Sequence, residues 1–149
     1  MTLSTELPGT WLLQSRFDVT PGGEPHPDPL LGEDPVALLI YDRTGHFAAQ
    51  FMKRERQGAA QAAASPNARN NTQAQGGYDA YFGTYSVDDA QGTVTQRLMG
   101  SLSPQNVGMV LTRAMEVRGN SLVIRLETTA ADGAPVVRTL TWRRLEDAR

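Results

Sequence analysis

The stretch from Gly83 to Leu145 constrains the fold most, because it is a succession of short alternating segments cut by turns. Gly83-Thr84-Tyr85-Ser86-Val87 ends at Asp88 to Gly92. Thr93 to Met99 follows, then Gly100 to Gly108, then Met109 to Val117. Arg118-Gly119-Asn120 is a tight turn, Ser121 to Thr128 pairs back, and Val136 to Leu145 closes the run. β-branched residues at a period of two, with turns at regular spacing, predict an antiparallel meander.

The N-terminal half extends it. In Thr10 to Phe17 one face carries Trp11, Leu13, Ser15 and Phe17, and the other Leu12, Gln14 and Arg16. The second face holds the charge, so the first is expected inside. Thr20 to Pro35, with Pro25-His26-Pro27-Asp28-Pro29, can be neither helix nor central strand and reads as a loop over one end of the sheet. His26 reads there as a solvent-exposed loop histidine. Val36 to Tyr41, the turn Asp42-Arg43-Thr44-Gly45 and His46 to Met52 form a hairpin. Lys53 to Gly77 then turns charged and afterwards Ala-, Gln- and Asn-rich, which reads as a flexible lid. Ala59 to Gln75 is expected to be its least-contacted part. Tyr78 to Phe82 is expected to form a short helix beside the sheet.

The fold class expected is all-β: a closed antiparallel up-and-down barrel of about eight strands, with one short helix and one flexible insertion. Closure removes sheet edges; a two-sheet sandwich is the competing solution. The chain of 149 residues reads as one domain over 1–149 with its core at about 9–145. A formal charge of −2 gives no electrostatic case for nucleic acid. No apolar run approaches the roughly 18 residues of a membrane span. Absence of cysteine excludes disulfides and thiolate chemistry, and with a start that is no signal peptide it predicts a cytoplasmic protein. Oligomeric state is not readable, and a monomer and a homodimer are both compatible with the sequence. Histidines and carboxylates show no metal spacing, and no phosphate loop or nucleophile elbow is present, so no metal or cofactor is expected.

Gly9-Thr10-Trp11 resembles the Gly-x-Trp signature of lipocalins and their calycin relatives. Leu38-Leu39-Ile40-Tyr41, Gly45, Ala49-Gln50, Tyr78-x-Ala80-Tyr81-x-Gly83-x-Tyr85-x-Val87, Gly92 to Thr95, Ser101 with Pro104, Gly108 and Arg113 recur in that order in the bacterial and fungal lipocalin-like domain family. The resemblance covers Gly9 to Leu145 and implies a barrel with a cavity, plugged at one end by Trp11 with an arginine of the last strand across it. Arg144 is the positional match, and Arg143 points the other way. Many members carry histidine where this chain has Gln96, which puts proton transfer at that position in doubt. An association with secondary metabolism, and related barrels that cyclise polyenes or polyketides, are further implications of the resemblance.

The residues expected to bind a ligand are polar or aromatic groups on otherwise apolar faces: Tyr41, Gln50, Tyr81, Tyr85, Gln96 and Arg113. Arg113 lies between Leu111 and Met115. It is either a buried cation needing a partner or, with the strand's parity reversed, a solvated one. The reading that follows is a binding module for a small hydrophobic molecule. The alternatives are a cofactor-independent isomerase or cyclase acting on a polyketide- or polyene-like substrate, and a structural or interaction domain with a filled barrel. Lack of a visible general base favours binding over catalysis.

Overall fold

Alternating apolar and polar residues build one closed sheet. The computed structural model describes residues 2–55 and 70–146. Its strands are β1 (Gly9–Val19), β2 (Val36–Tyr41), β3 (His46–Met52), β4 (Tyr78–Asp88), β5 (Thr93–Ser101), β6 (Val110–Arg118), β7 (Ser121–Thr129) and β8 (Pro135–Arg144). Each pairs antiparallel with its neighbours in chain order, and β8 returns to β1, so the barrel has eight strands and no free edge. Leu39, Phe47, Phe51, Val94, Leu98, Leu111, Leu122, Leu140 and Trp142 fill the interior. The β2–β3 turn depends on Gly45, whose φ of 85° suits a residue without Cβ.

Two irregularities decide which residues face inward. In β1 the register against β8 shifts between Leu13 and Ser15, a bulge. A one-residue slip sends every later side chain to the opposite face. Trp11 therefore points inward, whereas beyond the bulge Arg16 and Asp18 are buried and Phe17 is 57% exposed. The expectation that Phe17 shares the inner face with Trp11 is corrected by that bulge. The second shift lies between Phe82 and Gly83 against β5. Strand β5 passes so close to Gly83 that a Cβ there would sit 1.9 Å from the Arg97 carbonyl oxygen. A backbone oxygen cannot rotate away, so Gly83→Ala should lower stability by about 1–3 kcal/mol in urea unfolding.

The short helix expected at Tyr78 to Phe82 is instead the first half of β4. Met52 pairs with Tyr78, and Ala48 with Phe82. Strand β3 needs a partner, and Asp79 and Tyr81 alternate with outward Tyr78, Ala80 and Phe82, a strand period. Among the described residues helix is confined to α1 (Leu3–Glu6) and one 3-10 turn at Pro104–Asn106.

The lid expected within Lys53 to Gly77 falls largely on residues 56–69, outside the described residues. Its C-terminal flank is not sparse in contacts, contrary to the expectation for Ala59 to Gln75. Thr72, Gln73 and Ala74 are buried. Asn106 Nδ2 donates to the Thr72 carbonyl at 3.0 Å, and Asn70 exchanges hydrogen bonds with the Thr112 backbone. Polar side chains, rather than large apolar ones, anchor this segment.

Candidate functional site

The barrel has one plugged end and one that holds a cavity. At the plugged end Trp11 is completely buried, and the Arg144 guanidinium lies 4.2 Å from its ring centroid. The indole Nε1 donates to the Leu7 carbonyl at 3.0 Å. Arg144 donates to the Pro8 carbonyl at 2.9 Å and to that of Glu6. One cation thus covers the indole and satisfies the carbonyls of the chain entering β1.

Above the plug lies a filled layer. Tyr41 is buried, Gln96 Nε2 donates to its hydroxyl at 2.5 Å, and its ring packs edge-on to Tyr85 with centroids 4.8 Å apart. Burial drives the Tyr41 pKa well above the ordinary phenol value, so it stays a neutral hydroxyl. Tyr85 donates to the Asp42 carbonyl at 2.6 Å, beside the β2–β3 turn at the plugged end. These three expected ligand residues are positioned by one another and by backbone.

The cavity occupies the opposite end, between the 28–31 loop, residues 71–74, the β7–β8 turn and the adjoining strands. Its volume is about 60 Å³. That is small beside the roughly 150 Å³ that holds one benzene ring and the roughly 300–1,000 Å³ of drug-sized sites, so a ring-sized ligand would seat only in part and extend through the open mouth. Of the six expected ligand residues, Tyr81 and Arg113 line it; Tyr41, Tyr85 and Gln96 do not. Gln50 is on the outer face, where it meets the Tyr78 hydroxyl. Its strand register puts Ala49 and Phe51 inward, which corrects its expected place in the cavity.

The wall is also more charged than an apolar pocket would be. Arg16, Asp28, Asp79 and Arg138 join Arg113 there, with Leu30, Leu31, Phe51, Leu126 and Leu140 on the apolar side. Arg138 grips Asp18 with two parallel hydrogen bonds, 2.8 Å from Nε and 2.9 Å from Nη2. Arg16 Nη2 donates to Asp28 at 2.8 Å. Burial opposes the charge on Arg138, but the hydrogen bonds and charge of Asp18, aided by Asp28, outweigh it and raise its pKa. For Arg16, burial first and then repulsion by Arg138 outweigh Asp28 and Asp18, and its pKa is lowered.

Arg113 stands outside these pairs. It is 6% exposed, and among the described residues its hydrogen bond is Nη1 to the neighbouring Thr112 carbonyl at 3.1 Å. No described carboxylate forms an ion pair with it, and the sequence of residues 56–69 contains no Asp or Glu. Burial lowers its pKa, opposed by the Tyr81 and Tyr41 hydroxyls. Tyr81 is pushed up to about 12, mainly by burial and then by Asp79.

Asp79 is the group that sequence reasoning missed. It is 5% exposed, and its Oδ2 accepts from the Thr72 hydroxyl. Burial pushes its pKa to about 6, against the Thr72 hydrogen bond, the adjacent Ala80 N–H and the charges of Arg16 and Arg138. A folded pKa above the unfolded value of 3.8 means that folding favours the protonated acid. That contribution is complete below 3.8 and is lost as pH rises through about 6. Asp79→Asn should flatten this fall, seen as melting temperatures less dependent on pH between about pH 4 and pH 7. A helical reading of Tyr78 to Phe82 concealed Asp79. Arg138 was findable, since it alternates with Val136, Leu140 and Trp142 as Arg113 does with its neighbours. Asp28 gave no signal, being a loop residue.

Among the described residues no group of three or more histidines and carboxylates could hold a metal ion. None of the described helices is long and apolar enough to cross a membrane. No curated protein matches the chain. The family model described as a lipocalin-like domain matches residues 8–145, nearly the whole barrel with its plug. The chain therefore belongs to the lipocalin-like domain family, whose barrel architecture suits small-molecule binding in general.

Proposed function

We propose that this barrel binds a compact small molecule with an apolar body and an oxygen-bearing head, a carboxylate, enolate or carbonyl, that rests on Arg113. The supporting observation is Arg113 itself: a buried guanidinium at a cavity wall with no described carboxylate partner. Burying such a charge is costly, and a ligand oxygen would offset the cost with charge-assisted hydrogen bonds. Leu30, Phe51, Leu126 and Leu140 would cover the apolar body. The hydrophobic-ligand reading is thereby narrowed to amphipathic molecules of modest size. Enolisable fragments of polyketide type meet both this chemistry and the secondary-metabolism association of similar barrels.

Calorimetric titration with benzoate and its uncharged relative benzyl alcohol tests the proposal. Benzoate should bind at least about tenfold more tightly, and more tightly as pH falls through 6, because protonation of Asp79 removes a like charge. Arg113→Met should weaken benzoate binding by roughly 10–100-fold without lowering the melting temperature, since an apolar isostere replaces an unpaired buried charge. Equal binding of benzoate by the wild type and the variant would overturn the proposal. A large drop in melting temperature would make Arg113 structural.

A further inference from the structure

Asp79 is the cavity group that binding alone leaves unused. One carboxylate oxygen is held by Thr72, while the other, Oδ1, is buried with no hydrogen-bond partner among the described residues. An unsatisfied buried acceptor is expensive and rare in folded proteins. Asp79 lines the same cavity as Arg113 and Tyr81, while its Oδ1 is itself shielded from solvent. The charged and titratable groups around that space are Arg16 and Asp18 on β1, Asp28 in the loop, Tyr81 on β4, Arg113 on β6 and Arg138 on β8. Asp18 and Asp28 are committed to Arg138 and Arg16. Strands β3 and β7 supply uncharged Phe51, Leu126 and Thr129.

We infer that Asp79 is a proton-transfer residue for a compact β,γ-unsaturated carbonyl compound whose oxygen rests on Arg113, shifting its double bond into conjugation. This rests on the binding reading above. The ionised Asp79 carboxylate, turned toward the cavity, takes a proton from the carbon between the carbonyl and the double bond. The electron pair of that C–H bond becomes a new carbon–carbon double bond to the carbonyl carbon, and the carbonyl π pair moves onto oxygen. The dienolate charge then faces the Arg113 guanidinium, the placement that stabilises a developing oxyanion. Protonated Asp79 returns its proton to the γ-carbon as the carbonyl re-forms. Atoms and electrons balance with no oxidant, reductant or cofactor. Burial supplies the remaining requirement, since a carboxyl titrating near 6 is a stronger base than an exposed one and is still ionised at neutral pH.

Cyclohex-3-enone is the probe, because it is compact and its conversion to cyclohex-2-enone is read directly from the absorbance of the conjugated product. Cyclohexanone, which cannot isomerise in this way, reports binding alone. The wild type should accelerate the conversion, with kcat/KM rising with pH through about 6 to a plateau as Asp79 ionises. Asp79→Asn should lower kcat by at least about 100-fold while cyclohexanone affinity changes less than about threefold. Arg113→Met should weaken cyclohexanone binding. Wild-type binding of cyclohexanone without acceleration of cyclohex-3-enone would overturn this inference and leave the binding reading standing. Undiminished turnover by Asp79→Asn would do the same. If cyclohexanone does not bind, this inference falls, and the binding reading stands or falls with benzoate. If the Asn variant does not fold, the wild-type profile decides: a rise through about 6 supports the inference, and a flat profile overturns it.

Discussion

Trp11→Ala should lower the stability of the barrel by about 3–5 kcal/mol, the usual range for truncating a large core aromatic. The expected loss has distinct sources. The indole is fully buried at the plugged end, so its removal leaves a cavity that strands fixed by their pairing cannot collapse to fill. The Leu7 carbonyl loses the indole N–H that satisfies it at 3.0 Å. Arg144, now 4.2 Å from the ring centroid, would keep its bonds to the Glu6 and Pro8 carbonyls but lose the aromatic face beneath it. Trp11→Phe separates these contributions. It keeps most of the ring and loses the hydrogen bond, so about 1–3 kcal/mol is expected. Equilibrium urea unfolding measures both, and a loss below about 1 kcal/mol for the alanine variant would show that the plug is dispensable.

Asp18→Ala should be comparably damaging, again about 3–5 kcal/mol, because Asp18 is the buried partner of a buried arginine. Removing one member of a buried ion pair strands the other. Arg138, 7% exposed, would keep Asp28 at 3.8 Å in place of a bidentate partner. Arg16 shares Asp28, so that carboxylate would face two guanidiniums. The paired change Asp18→Leu with Arg138→Met should recover most of the loss, because apolar groups of similar volume often replace a buried pair without penalty. Were the double variant no more stable than Asp18→Ala, loss of packing rather than an unpaired charge would be the cause.

Periodicity made the barrel readable and also set the limit of the reading. Strands β6 to β8 could be placed from Val110, Leu111, Leu122, Ile124 and their neighbours because no bulge interrupts the alternation there; the same alternation set Arg113 between Leu111 and Met115 but left open whether that face is inward, and the structure buries it. Trp11 and Arg144 were readable because the resemblance paired them. The inward charge cluster was hidden by the β1 bulge: alternation counted from Trp11 puts Phe17 inside and Arg16 outside, and a one-residue slip reverses both. Asp79 was hidden for a different reason. A segment as aromatic as Tyr78-Asp79-Ala80-Tyr81-Phe82 suits a docking helix or a strand, and the open edge of β3 decides between them. Gln50 shows the converse error. Small neighbours at Ala48 and Ala49 suggested room for a ligand, but Ala49 faces the interior and Gln50, one position on, does not.

The carboxylate-to-arginine placement at the open end is the centre of the functional reading, and an anomalous-scattering crystal structure with 4-bromobenzoate addresses it directly. The expected result is a bromine peak among Leu30, Phe51, Leu126 and Leu140, with the carboxylate within hydrogen-bond distance of Arg113. A bromine peak confined to the outer face of the barrel, or an Arg113 guanidinium still bonded to the Thr112 carbonyl alone beside a cavity without ligand density, would contradict it.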